Sequence, residues 1–104
     1  MNLKGTLPVL ILQLLAEGPR HGYAIAQGIK SRSRGVLDFK EGTLYPALHQ
    51  LEAEGEIVSE RTIVNGRVRR DYKLTKAGKA TLAEEREEWY RVSAGVRAIL
   101  EGAS

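Results

Sequence analysis

The sequence of 104 residues contains no cysteine, which excludes a disulfide-stabilised scaffold, a thiolate metal site and a cysteine nucleophile. Histidine occurs only twice, so that no metal site is predicted. No apolar run approaches the roughly 20 residues that a membrane-spanning helix needs, and no secretory signal pattern stands at the N-terminus. These absences predict a single-domain cytoplasmic protein that makes no contact with a membrane.

The residue patterns that mark enzymes are also absent. The carboxylates of Asp38, Glu41 and Glu52 are scattered and show no paired geometry for acid–base chemistry. We find no Ser/His/Asp set, no glycine-rich phosphate loop and no nucleotide fingerprint. The sequence therefore predicts a protein with no catalytic residues, no cofactor and no enzymatic activity.

Positive charge is concentrated in one part of the chain. The formal net charge is +3, and residues 1–75 hold 11 Lys/Arg against 8 Asp/Glu, whereas residues 76–104 hold 5 of each. Within residues 61–73 the count is 5 basic to 1 acidic. A basic arm on a nearly neutral body suits contact with a phosphate backbone, although a solvated hairpin without a partner would show the same pattern.

Two helices are predicted in the first third of the chain. The first covers Thr6–Ala16, ends at Gly18-Pro19, and is apolar on two sides, which predicts burial by a partner subunit as well as by the core. The central helix of a monomeric core would show the same pattern. The second covers His21–Ser31, and its predicted inward-facing residues are Tyr23, Ile25, Ala26 and Ile29. The segment Arg32–Lys40 is predicted to hold a brief strand.

A third amphipathic helix is predicted over Thr43–Glu54, with Thr43 as its N-cap, Pro46 in its first turn and Gly55 just after its end. Its inward stripe consists of Leu44, Leu48 and Leu51. The opposite face carries almost no charge, unlike an ordinary solvated helix face, and consists of Thr43, Tyr45, Pro46, His49 and Gln50. This face predicts contact with a partner.

A β-hairpin follows, in which Ile57–Val64 and Arg67–Leu74 alternate in period two around Asn65-Gly66. An Asn-Gly pair between two such runs predicts a two-residue type I′ turn. The turn fixes the register, so that Val64 pairs with Arg67 and Ile57 with Leu74. One face is then apolar at its base, and the other carries Arg67, Arg69 and Lys73.

The final helix is predicted over Lys76–Leu100, with Thr75 as its N-cap. Its apolar residues form a heptad seam that only Glu85 interrupts, consisting of Leu82, Trp89, Val92, Val96 and Ile99. A helix of ~25 residues with one narrow seam has little of its own chain to pack on. We therefore expect a homodimer in which this seam and the first helix, through Val9 and Leu12, form the interface.

Together these elements predict a mainly α fold with a small β-hairpin (α+β), namely a winged helix-turn-helix domain in residues 1–75 and a dimerisation helix in residues 76–104. The third helix would enter the DNA major groove, and the hairpin would contact the backbone or the adjacent minor groove. A dimer would bind a near-palindromic site. The candidate DNA-contacting residues are His21, Tyr23, Lys40, Thr43, Tyr45, Pro46, His49, Gln50, Arg67, Arg69 and Arg70. Purely local roles remain open for His21, which could cap its helix, and for Tyr45, which could pack on the wing.

The chain resembles the PadR family of bacterial transcriptional regulators. The matching stretches are LLAEGPRHGYAI at Leu14–Ile25, EGTLYPALHQLEAEG at Glu41–Gly55, RRDYKLTKAG at Arg69–Gly78, and the helix that contains Trp89. They lie in the family's order and spacing across essentially the whole chain, and the single final helix is similar to the small subclass of the family. The resemblance implies a cytoplasmic dimer, nucleoid-associated when bound to its operator, that most often acts as a repressor released by a small molecule.

In some multidrug-responsive relatives, flat aromatic ligands stack on a tryptophan that matches Trp89. The same resemblance implies an effector space that Val9, Gln13 and Ser93 would line, for a small hydrophobic or aromatic molecule. Arg86 departs from the family pattern, since the drug-binding relatives have an aromatic residue at that position. Two other functions stay open, a winged-helix module that binds protein instead of DNA, and a ligand sensor with a minor role at DNA.

Overall fold

The computed structural model describes residues 3–102, and in them four α-helices pack with a small three-stranded antiparallel sheet. A 3-10 helix at Leu3–Thr6 leads into α1 (Leu7–Ala16), β1 (Arg20–His21), α2 (Gly22–Arg32), α3 (Glu41–Ala53), β2 (Ile57–Val64), β3 (Arg67–Leu74) and α4 (Lys76–Leu100). The predicted α+β fold class is confirmed. Within the described residues, no helix combines the length and the apolar character needed to cross a bilayer.

Helix α1 lies at the centre and packs on α2, α3, α4 and β3. Its residues Leu7, Ile11 and Leu12 are fully buried, because the other elements cover it on several sides. Burial of each such side chain contributes about 1.5–3 kcal/mol. Leu12, which the sequence assigns to a dimer interface, is thus buried by its own chain and has no surface left for a partner.

The hairpin has the predicted register throughout, from Val64 opposite Arg67 to Ile57 opposite Leu74. Asn65 and Gly66 have φ angles of 52° and 77°, as the type I′ turn requires. Ile57, Tyr72 and Leu74 are buried at the base of one face. Burial also raises the pKa of the Tyr72 hydroxyl, with a further contribution from the negative charge of Glu52.

A third strand, β1, extends the sheet and is absent from the sequence-based prediction. Arg20 pairs with Tyr72, and His21 pairs with Asp71, which gives the strand order β1-β3-β2. Two residues are too few to produce an alternating pattern. The strand fixes the start of α2 against the hairpin. His21 occupies the position before α2 in an extended conformation, but its side chain makes no capping hydrogen bond.

Helix α3 begins two residues earlier than predicted. Lys40, with φ −78° and ψ 161°, stands at the N-cap, and its carbonyl accepts from the amides of Thr43 and Leu44 at 2.9 Å. Thr43 is therefore inside the first turn and is not the N-cap. Pro46 is the sixth helical residue, so that the Gly42 carbonyl lacks its usual donor. Because Gly42 is exposed, water can reach that carbonyl.

Two further expectations for the region before α3 are wrong. The segment between α2 and α3 forms turns with no strand, because Arg34 and Gly35 have positive φ angles of 55° and 81°. The Ser33 hydroxyl accepts from the Leu37 amide at 2.9 Å and closes this turn. Tyr23 does not face inward, since 64% of it is exposed and only Ile25 and Ile29 of its set are buried.

The start of α4 is fixed against the turn between α3 and β2. Thr75 caps the helix as predicted, since its hydroxyl accepts from the Gly78 amide at 3.0 Å and donates to the Gly55 carbonyl at 2.7 Å. The Thr81 hydroxyl donates to the Glu56 carboxylate at 2.6 Å. A Cβ added at Gly78 would overlap the Glu56 carbonyl oxygen. The glycine permits this close approach of helix and turn.

Leu82 is the last residue of α4 inside the core, and 7% of it is exposed. It belongs to the predicted seam, but its own chain buries it, so that it cannot form part of a partner interface. Beyond it, Ser93 alone is half-buried in the stretch 83–100, and the other residues there are exposed. The remaining seam consists of Trp89, Val92, Val96 and Ile99.

We predict that Gly78→Ala lowers the free energy of unfolding by about 1–3 kcal/mol, because the added methyl group overlaps a backbone oxygen that cannot rotate away. Denaturant unfolding at fixed protein concentration measures the change. Gly42→Ala is the matched control, because no atom lies within 4 Å of a Cβ at that helical position. The control should be neutral or stabilising by up to about 1 kcal/mol. Equal stability of the two variants would contradict the proposed close approach.

Candidate nucleic-acid interface and groove

The exposed face of α3 has the composition that the sequence predicts for a contact surface. Pro46, His49 and Gln50 are exposed, and Thr43 is half-buried in the first turn. Lys40 is exposed just before the helix, and Glu41 is the one acidic residue of the first turn. The face therefore offers hydrogen-bonding and apolar groups with little net charge, which suits contact with base edges.

Tyr45 joins this face to the beginning of α2. A Cβ added at Gly22 would lie 2.7 Å from the Tyr45 hydroxyl oxygen, so that the phenol ring packs directly on that glycine. The half-buried ring therefore has a structural partner in α2. On either side of Gly22, the rings of His21 and Tyr23 stack with centroids 6.3 Å apart. Three aromatic candidates thus meet at one corner of the surface.

The wing arginines differ in how their own chain holds them. Arg69 donates from Nε and Nη2 to the two Asp71 carboxylate oxygens at 3.0 and 3.4 Å. Arg70 donates to the Ser59 hydroxyl at 2.8 Å. Arg67 is exposed beside the turn and forms no ion pair with any of residues 3–102. Of the three wing arginines predicted to contact DNA, Arg67 is therefore the one whose charge is most available to a phosphate.

A hydrogen-bond chain connects the wing to α3. Ser59, which accepts from Arg70, donates to the Glu52 carboxylate at 2.6 Å. Glu52 belongs to the second half of α3, and Ser59 lies in β2. The hairpin and the candidate recognition helix are therefore held in a fixed mutual position by side-chain contacts as well as by the core.

A groove of about 760 Å³ lies between α1, α4 and the segment after α2. It brings together three of the four predicted effector residues, Val9, Gln13 and Trp89, while Ser93 lies one turn further along α4 and is not among the lining residues. The other lining residues were not predicted as a site, and half of them come from residues 32–37, a segment without periodicity. They are Thr6, Leu10, Arg32, Ser33, Val36, Leu37, Arg86 and Tyr90.

One carboxylate lies beside the polar edge of this groove. Glu17 accepts from Arg32 at 2.6 and 2.7 Å and from Gln13 at 3.1 Å, and Arg20 lies 3.5 Å away. The Arg32 hydrogen bonds, followed by that of Gln13, hold the pKa of the Glu17 carboxyl below its usual value. Arg86 has no such partner among the described residues, so that it leaves a positive charge at a largely apolar surface.

The chain matches known regulators in sequence and in structure. Residues 11–84 match the family described as "Transcriptional regulator PadR-like family". The chain is 46% identical over 76 residues to transcriptional regulator Rv3488 of Mycobacterium tuberculosis, which covers 73% of this chain and 68% of that protein.

Solved structures show the same fold. A transcriptional regulator from Clostridium thermocellum superposes with a TM-score of 0.85 at 30% identity, covering 91% of this chain and 93% of that one. Bacillus subtilis PadR, solved in complex with operator DNA, superposes with a TM-score of 0.71 at 32% identity. That match covers 76% of this chain and 45% of the other.

Proposed function

The chain belongs to the PadR-like family of transcriptional regulators, and from this membership we propose that it is a homodimeric, ligand-responsive repressor of a near-palindromic operator. In this proposal residues 1–75 form the DNA-binding domain and residues 76–104 the dimerisation helix. The observation that carries it is the uncharged exposed face of α3, joined to an arginine-rich hairpin through Glu52, Ser59 and Arg70. The solved operator complex of Bacillus subtilis PadR supports the DNA-binding part.

Each element has a separate role in the proposed complex. Helix α3 enters the major groove, where His49 and Gln50 contact base edges and Tyr45 is braced on Gly22. Lys40 and Thr43, at the start of the helix, contact a phosphate together with free amides of the first turn. Arg67 neutralises a second phosphate from the wing. These few phosphate contacts give one chain little affinity, so that two linked copies are required.

We expect wild-type protein to bind its own upstream promoter fragment several hundred times more tightly than a random fragment. Arg67→Ala should weaken binding to both fragments similarly. It should also lower the slope of log affinity against log salt by about 0.9 for each phosphate that is no longer neutralised, hence by about two for a dimer. Fluorescence polarisation across a salt series measures both quantities.

The matched control for that titration is Arg97→Ala, which removes the same charge from the distant end of α4 and should leave the salt slope unchanged. If Arg67→Ala kept the wild-type slope of log affinity against log salt, the wing would not contact DNA phosphates through Arg67. Equal, weak binding of wild-type protein to both fragments would favour a winged-helix module that binds a protein.

The dimer rests on the outer part of α4. Trp89, Val92 and Val96 are each 44–49% exposed, and 80% of Ile99 is exposed, although all four follow one heptad seam. The helix reaches beyond the core, which makes the chain 59 Å long and 28 Å by 21 Å across. A second copy packed along this seam and against α1 would cover these side chains.

We expect the double variant Val92→Asp/Val96→Asp to be monomeric, because two carboxylates would be buried in an apolar interface. It should also lose operator affinity, since each monomer binds only half a site. Sedimentation velocity gives the assembly state, and polarisation gives the affinity. Ala94→Asp adds a charge two residues from each of these positions on the opposite, exposed face, and it should remain dimeric. If the double variant remained dimeric, the seam of α4 would not be the dimer interface.

The groove beside α1 is the proposed effector site. Its volume lies in the range of small-molecule pockets, and its apolar walls include the aromatic rings of Trp89 and Tyr90. Such a site suits a flat aromatic molecule that stacks on Trp89. The positive charge of Arg86 replaces the aromatic residue expected from drug-binding relatives, so that a ligand with an acidic group would be favoured over a cation.

Trp89 is the only tryptophan in the chain, and its emission therefore reports on this groove and on the adjoining dimer seam. We expect the anionic aromatic dye 1-anilinonaphthalene-8-sulfonate to quench that emission and to compete with operator binding. Trp89→Ala should weaken dye binding about tenfold, measured by dye emission, because the alanine removes the ring on which the dye stacks. Tyr23→Ala removes an exposed ring outside the groove and should bind as wild type does. Unchanged binding by Trp89→Ala would place the dye elsewhere.

A further inference from the structure

The outer end of the hairpin carries an apolar surface that the proposed contacts do not use. Ile63 and Val68 are directly opposite each other on neighbouring strands, and they are 76% and 61% exposed. They lie on the same face as the buried residues Ile57 and Tyr72, but beyond the edge of the core. Single exposed apolar side chains are common. Two of them paired across a protruding turn form a defined apolar tip, here called the wing tip.

The charge around the wing tip indicates its partner. Residues 61–70 contain four arginines and no acidic residue. Arg61 and Arg70 form the next pair inward on the same face, and Arg67 lies beside the turn. A partner must therefore offer an apolar surface bordered by negative charge. The DNA minor groove has this composition, because its walls are sugar C–H groups and its edges are phosphates.

The hairpin is long enough to reach that groove. From the buried base at Ile57 to Ile63 the strand spans six residues, or roughly 20 Å at ~3.3 Å per residue. A helix in the major groove and the centre of the adjoining minor groove are separated by half a helical turn, or roughly 17 Å. The wing tip can therefore enter the minor groove while α3 occupies the major groove.

We infer that Ile63 and Val68 contact the floor of the minor groove and make the wing select A·T over G·C base pairs. This inference rests on the proposed DNA-binding function. At A·T pairs the floor presents only acceptor atoms, whereas guanine adds its 2-amino donor. An apolar side chain offers no acceptor, so that a G·C pair would leave a buried donor unpaired. The narrow minor groove of A·T-rich sequence also attracts the neighbouring arginines.

Inosine provides a direct test, because an I·C pair keeps the major-groove pattern of G·C but lacks the 2-amino group. Hydroxyl-radical footprinting on a duplex selected by the wild-type protein first locates the base pairs under the wing. Duplexes with A·T, G·C or I·C at those pairs are then compared by polarisation. Wild-type protein should bind the G·C duplex about tenfold more weakly than the other two.

The variant Ile63→Thr/Val68→Thr keeps β-branched side chains, so that the hairpin is retained, and its hydroxyls can accept from guanine. The difference between G·C and I·C should fall below about twofold in this variant. Val58→Thr, the same change at an exposed position of β2 near the base, is the matched control and should keep the tenfold difference.

The outcomes separate this inference from the proposed function. A wild-type protein that selects its operator but binds G·C and I·C duplexes equally would overturn the inference alone. The inference alone would also be overturned if Ile63→Thr/Val68→Thr kept the wild-type difference in affinity between the G·C and I·C duplexes. That result is expected if the wing tip binds a protein. A wild-type protein that selects no duplex would overturn the proposed function and this inference with it.

Discussion

The close approach of α4 to the turn between α3 and β2 determines how the rest of the molecule is arranged. Gly78 lies against the Glu56 carbonyl, and Thr75 and Thr81 bond to Gly55 and Glu56 on that turn. The end of the candidate recognition helix, the base of the wing and the start of the long helix therefore meet in direct contact at one junction. Only Thr75 separates the hairpin from α4 in the chain.

Local chemistry determines the parts of this fold that could be predicted from sequence. The Asn65-Gly66 turn admits one register, and Thr75 caps α4 from its own position, so that strand pairing and helix start need no tertiary information. The elements that could not be predicted depend on packing. Strand β1 exists only because β3 lies beside it. Thr43 is a good N-cap by type, yet α3 starts at Glu41 because Lys40 adopts the extended conformation there.

The candidate site also contains some features that local sequence predicts and others that depend on packing. Periodicity identifies the apolar positions of α1 and α4, but it cannot tell which side of each helix the chain itself covers. Leu12 and Leu82 are core residues, while Trp89 and Val96 remain exposed. Likewise the three wing arginines predicted to contact DNA are equivalent in sequence, and only the structure separates Arg67 from Arg69, which Asp71 neutralises. Side-chain partners distant in sequence, or on the same strand face, leave no periodic signal.

Charge placement explains why the proposed function needs every part of this small chain. The α3 face is nearly uncharged, so that it can discriminate between base edges but contributes little to long-range attraction. The wing must therefore supply the long-range attraction to DNA. There Asp71 binds Arg69 and Ser59 binds Arg70, whereas Arg67 is free among the described residues. With few phosphate contacts on each wing, a single copy is a weak and strongly salt-dependent binder. A rigid α4 with an exposed apolar seam can place two such copies at a fixed spacing. Operator specificity would then arise from the fixed spacing of two weakly binding copies rather than from the charge of either copy.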